Sequence, residues 1–111
     1  MKSFKNVSIL IPAYNEHKTI ESVVDTIDKN IGSNIGELII VNDCSTDKTR
    51  EIIENLNISN LVLINNSRNL GYGGSLKIGI KNAKKDYVLM LDADGQHDIE
   101  HLKTLLNGDY E

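Results

Sequence analysis

Apolar and polar positions along this chain alternate between two periods. Val7-Ser8-Ile9-Leu10-Ile11 is short, β-branched and nearly all apolar, the pattern of a strand buried on both faces. Ile20, Val23, Val24, Ile27 and Ile31 follow at helical spacing and share one face. Leu38-Ile39-Ile40-Val41 repeats the strand pattern. Thr49, Ile52, Ile53 and Leu56 repeat the helical one, with Ser45 or Thr46 expected as its cap. Leu61-Val62-Leu63-Ile64 predicts a third strand; Leu76, Ile80 and Ala83 predict a third helix, reached through glycines. Tyr87-Val88-Leu89-Met90-Leu91 predicts a fourth strand. Ile99, Leu102, Leu105 and Leu106 predict a last helix, with Asp98 as its cap.

The alternation βαβαβαβα predicts an α/β fold, a Rossmann-like three-layer αβα arrangement around a parallel sheet. Right-handed crossovers restrict the topology, and the expected strand order is 3-2-1-4. The chain then winds outward from strand 1 and restarts on its other side. Ligands of open parallel sheets bind at the carboxyl ends of strands around such a reversal. The loops after strands 1, 2 and 4 are therefore where chemistry is expected.

Composition narrows the function classes. The 111 residues make one small domain, and 40% hydrophobic with 25% charged residues is ordinary globular usage. A net charge of −4 argues against a broad basic face for nucleic acid. The single Cys excludes an internal disulfide and any multi-cysteine metal site. No apolar run approaches the roughly 20 residues that span a bilayer. The first residues lack a signal-peptide core, so a soluble, reducing, cytoplasmic setting is expected for this stretch of polypeptide.

The three loops carry acidic and amide groups. Asp92-Ala93-Asp94-Gly95-Gln96-His97-Asp98 follows strand 4. Two residues apart at a strand end, Asp92 and Asp94 can point the same way. Such a pair repels unless a cation sits between its members or one is protonated. Hard oxygen ligands suit Mg²⁺ or Mn²⁺, with Gln96 offering a further oxygen. A bare Asp-x-Asp is usually a solvated turn, and its place at the switch point is what raises it. Asp43 directly follows strand 2; it reads as an acceptor for a base N–H or as a cap for the next helix, a role that Asp47 suits better. Tyr14 can stack a flat base or simply pack. Asn69-Leu70-Gly71-Tyr72-Gly73-Gly74 permits close backbone approach to phosphates and equally a tight turn. Arg68, His17 and His101 read as exposed surface groups, Cys44 as a small half-buried filler, and His97 as an ambiguous neighbour of the acidic turn.

Taken in order, Val7 to Glu16, Ile40 to Thr49, Arg68 to Gly71 and Leu91 to His97 resemble the family 2 glycosyltransferases of the GT-A fold. The Asp-Ala-Asp-Gly-Gln-His form looks most like the branch that glycosylates polyprenyl or dolichyl phosphates. The resemblance implies a nucleoside diphosphate sugar of UDP or GDP type as donor, a Mn²⁺ or Mg²⁺ cofactor and inverting transfer. Residue by residue, it places Pro12, Ala13 and Tyr14 along the base, Glu16 near the ribose and Asp43 on a base N–H. It places Asp92 and Asp94 beside the sugar diphosphate and its metal, with Gln96 as a further ligand. Asn42 stands where many members have Asp, Cys44 where many have Gly, and Ile99 where Pro is frequent.

The family's catalytic domain continues well beyond 111 residues, so residues 1–111 read as its nucleotide-sugar-binding half. The resemblance assigns no catalytic base within them, and little or no turnover is expected from this stretch alone. An unpaired strand 4 edge favours a homo-oligomer through that edge. The rival classes are a non-catalytic nucleotide-binding or protein-interaction module, a nucleotidyltransferase and a signalling receiver domain. The second wants a glycine-rich loop after strand 1, and the third an Asp ending strand 3, where Asn65-Asn66 stands. Full-length relatives often carry membrane segments, so the parent protein is expected to be membrane-associated.

Overall fold

Strand β1 (Phe4–Ala13) occupies an interior position of a four-stranded parallel sheet ordered β3-β2-β1-β4, as the sequence predicts. The computed structural model of the chain describes residues 4–94 together with 103, 104 and 106. Helix α1 (Ile20–Ile31) leads through a short 3₁₀ turn to β2 (Ile35–Asn42). Helix α2 (Thr49–Glu54) leads to β3 (Leu61–Asn65), and helix α3 (Gly71–Asn82) leads to β4 (Tyr87–Met90). Of the predicted last helix, Leu106 is helical and buried in the core; Asp98, Ile99, His101, Leu102 and Leu105 lie outside the described residues.

β1 and β2 outrun their apolar cores because parallel pairing continues into polar residues. Ala13 pairs with Asn42, and Asn42 with Asn65. Side chains alternate between two buried faces. Ile9, Ile11, Leu38 and Ile40 meet the α1 stripe, whose five predicted residues are all buried. Leu10, Ile39 and Val41 face the other way and meet Leu76, Ile78 and Ala83.

Two local expectations need correction. The inward face of α3 centres on Ser75 and Gly79, and Ile80 is 50% exposed. Gly79 has no side chain, so the helix lies directly on Leu10, where an added Cβ would collide with the leucine methyls. The first turn of α2 is held by Asp47 rather than by Ser45 or Thr46: its carboxylate accepts the Thr49 amide at 2.9 Å and the Thr49 hydroxyl.

At the amino end of the sheet, Glu37 of β2 is a buried carboxylate. It accepts the Ser8 hydroxyl at 2.6 Å and the Lys84 amide at 2.7 Å. The segment before β4 is thereby fastened to the sheet at the end opposite the candidate chemistry. Among the described residues, β4 pairs only with β1, and Met90 is half exposed on that edge. No helix among them is long and apolar enough to cross a membrane.

Candidate functional site

The carboxyl ends of β1, β2 and β4 open onto one cleft of about 500 Å³. It is lined by Pro12, Ala13, Tyr14, Glu16, Asp43, Asp92 and Asp94, the described residues among those to which the family resemblance gives a role. Gln96 and His97 lie outside the described residues. Arg68 is exposed and does not line the cleft.

The floor is the end of β1. Pro12 and Ala13 are buried, and the Ala13 carbonyl accepts the Asp43 amide at 2.9 Å, carrying the ladder one step beyond the sheet. Asn15 then turns the chain with a φ of 51°, a left-handed conformation that asparagine tolerates better than most residues. Its amide donates to the Ser45 hydroxyl at 3.0 Å, and its side-chain oxygen accepts the Thr46 amide at 2.8 Å. Ser45 and Thr46 thus bind the β1 loop instead of capping α2. The Glu16 amide donates to the Thr49 hydroxyl at 2.9 Å, and the His17 ring pairs with Asp47 at 2.6 Å. His17 is exposed, as its sequence position suggested, and also bridges the two loops. Burial pushes the Asp47 carboxyl up, but bonds from Thr49 and then His17 outweigh it and hold it at about 2.

Asp43 is buried at the inner wall, 4% exposed. One carboxylate oxygen accepts the Leu70 amide at 2.7 Å and the Asn66 side-chain amide at 2.9 Å; the other accepts the Gly71 amide at 2.9 Å. Burial raises its pKa, yet the bonds from Leu70, Asn66 and Gly71 bring it below the ordinary value. The capping role weighed for Asp43 is real, but the helix it serves is α3 rather than α2. Gly71, which donates to the carboxylate, takes φ 78°, a left-handed conformation open to glycine, as the chain enters the helix. Asn42 beside it is also buried. Its amide nitrogen donates to Asn65 at 2.9 Å, and its oxygen accepts the Ser45 hydroxyl. An Asp at position 42 would set a second buried carboxylate next to Asp43 and lose the donor to Asn65. Cys44 is half-buried with φ 58°, a left-handed conformation that glycine adopts without strain.

Past β4, Asp92 and Asp94 are exposed on either side of buried Ala93. The Tyr72 hydroxyl donates to Asp92 Oδ1 at 3.3 Å. Burial, then the Asp92 charge, push the Tyr72 phenol up, so it stays a donor at neutral pH. The Thr19 hydroxyl donates to the Ala93 carbonyl at 2.7 Å and ties this turn to the start of α1.

The donor set fits a hard divalent cation. Glu16, Asp43, Asp92 and Asp94 line the cleft, and no Lys or Arg is among its described lining residues. No group of three or more His, Cys, Asp or Glu capable of enclosing a metal occurs among the described residues. Two carboxylates that leave the remaining positions to water and phosphate suit Mg²⁺ or Mn²⁺ better than a closed protein cage. Asn69, Gly71 and Tyr72 of the glycine-rich stretch line the cleft too, as the phosphate-approach reading of that stretch allows; sequence reasoning gave no role to Ser75 or Ala93, which also line it, or to Thr19, which supports it from outside. The glycine-rich stretch was the available signal for the α3 members; nothing local distinguishes Thr19.

Comparisons with known proteins agree with this fold. The profile of glycosyl transferase family 2 matches residues 8–108. A dolichyl-phosphate beta-glucosyltransferase of Trichomonas vaginalis is 34% identical over 108 residues, covering 89% of this chain and 33% of its own length. The chain spans about a third of the length of such curated relatives. The crystal structure of S. aureus TarS superposes on 94% of the chain with a TM-score of 0.76 and 31% identity, using 31% of that protein; TarS has also been solved with UDP-GlcNAc. Glucosyl-3-phosphoglycerate synthase from Mycobacterium tuberculosis, in complex with Mn²⁺, UDP and phosphoglyceric acid, superposes with a TM-score of 0.73. It is 27% identical, over 94% of this chain and 40% of that one.

Proposed function

This chain belongs to glycosyl transferase family 2, and from that premise we propose that residues 1–111 bind a nucleoside diphosphate sugar together with a divalent cation. The observation that carries this reading is the single cleft joining the ends of β1, β2 and β4. Tyr14 offers a ring for the base, Asp43 a fixed carboxylate at the inner wall, and Glu16 an acceptor for ribose hydroxyls. Asp92 and Asp94 hold the cation, with Gln96 as a further ligand. Four carboxylates and no basic side chain along the described wall repel a diphosphate, so the metal strengthens nucleotide binding. The cation, Mn²⁺ or Mg²⁺, supplies Lewis-acid stabilisation of the diphosphate leaving group. The residues of the chain orient the donor and fix the position of that charge.

The donor is of UDP or GDP type, and the acceptor of the whole enzyme is a polyprenyl phosphate. The dolichyl-phosphate relatives support that acceptor, and a parent protein associated with a membrane. These residues bind donor without robust transfer on their own. The β4 edge supports either completion of the sheet by further chain or pairing with a second copy.

Calorimetry of the chain with UDP and with GDP, each with and without Mn²⁺, tests the reading. Nucleotide binding that strengthens with Mn²⁺ is expected, and Asp92→Asn should remove the metal dependence. Equal binding in the presence and absence of metal would sink it.

A further inference from the structure

Thr19 occupies the residue before α1, where a threonine oxygen commonly caps its own helix, yet it makes no such bond. Its hydroxyl instead donates to the Ala93 carbonyl at 2.7 Å, 74 positions along the chain. The same oxygen stands 3.2 Å from Glu16 Oε2 and 3.5 Å from the Glu16 carbonyl. A hydroxyl carries one proton, so it serves one of these acceptors at a time. Ala93 is buried between the two exposed aspartates, so whatever fixes its carbonyl fixes the turn that carries both carboxylates.

We propose that Thr19 is a positioning residue that couples the nucleotide side of the cleft to its metal side. The inference rests on the donor-site reading above. When ribose hydroxyls engage Glu16, the Thr19 proton is committed to Ala93 and the acidic turn is held for the cation. Linkage is reciprocal: the cation, by ordering the turn, favours the state in which Glu16 is available to the nucleotide.

The test is calorimetry on the 111-residue chain with UDP, GDP and Mn²⁺, comparing wild type, Thr19→Val and Thr19→Ser. In Thr19→Val the enhancement of nucleotide affinity by Mn²⁺ should fall by about fivefold, at the low end of typical coupling between sites. Nucleotide affinity without metal should stay within about twofold of wild type on the same grounds, with an unchanged circular dichroism spectrum. Thr19→Ser keeps the hydroxyl and should keep the enhancement. If Thr19→Val does not fold, Thr19→Ala removes the same proton. Undiminished enhancement in the variant lacking the hydroxyl overturns the coupling role and leaves the donor site standing. A wild type that binds neither nucleotide, or binds without regard to Mn²⁺, overturns both.

Discussion

Asp43 and Gly71 stand 28 positions apart in the chain, and the buried carboxylate of one accepts the backbone amide of the other at 2.9 Å. With the Leu70 amide on its other oxygen, Asp43 holds the first turn of α3 against the end of β2. Cleft wall and helix start are one object here. Asp43→Asn keeps the shape but turns a donor toward one of those amides. It should cost about 1–3 kcal/mol, the range for a charge-assisted bond lost in a buried setting, and weaken nucleotide binding as well. Urea denaturation with calorimetry on the same sample checks both effects.

Asp47 makes the fold acid-sensitive. Its ordinary pKa of 3.8 falls to about 2 in the folded chain. The folded state binds that proton less readily than the unfolded state, so its contribution is full above pH 4 and vanishes as pH drops through 2. At neutral pH the shift corresponds to about 2 kcal/mol. Asp47→Asn should therefore be less stable than wild type at pH 7, and the gap should close between pH 4 and pH 2. Denaturant midpoints measured across that range decide the matter; a constant gap contradicts the assignment.

Gly79→Ala sets two effects against each other. Alanine favours an exposed helix interior by about 1 kcal/mol over glycine. Here its Cβ would collide with the methyls of Leu10, which is fully buried and has nowhere to go. Overpacking costs of about 1–3 kcal/mol outweigh the propensity gain. The variant should melt at a lower temperature than wild type, against the direction that helix propensity alone predicts.

Cys44→Gly should run the other way. At φ 58° a side chain strains the backbone by about 1–2 kcal/mol, and the extra freedom of glycine in the unfolded chain returns part of that. A net gain of a few tenths to about 1 kcal/mol is expected. Cys44→Val, with a branched Cβ, should be destabilised. Thermal melts of the pair, compared with wild type, give the sign.

What was legible in the sequence divides along a physical line. The β1 run, the α1 stripe and the 3-2-1-4 order are set by burial repeated over many residues, and a period of 2 or 3.6 announces them. Leu76 and Ala83 face the core as predicted, but Ile80 does not, because the centre of the α3 face is an absence: Gly79 contributes no hydrophobic signal, only room for Leu10. That Asp92, Asp94 and Glu16 meet at one cleft was legible because the reversal point of the sheet says where loops must meet. Thr19 and the His17–Asp47 pair were not. Their roles depend on partners 74 and 30 positions away, and no local pattern encodes a hydrogen bond closed by the tertiary fold.

The interior position of β1 gives the cleft a stiff base and adjustable sides. Pro12 and Ala13 belong to the innermost part of the molecule, and replacing them disturbs pairing with β2. Tyr14 and Tyr72 project from loop and helix start, 47% and 60% exposed, at little cost to the scaffold if exchanged. On the donor-site reading proposed above, a change of preferred base or sugar is expected at these two aromatic positions, with foldability conserved beneath them.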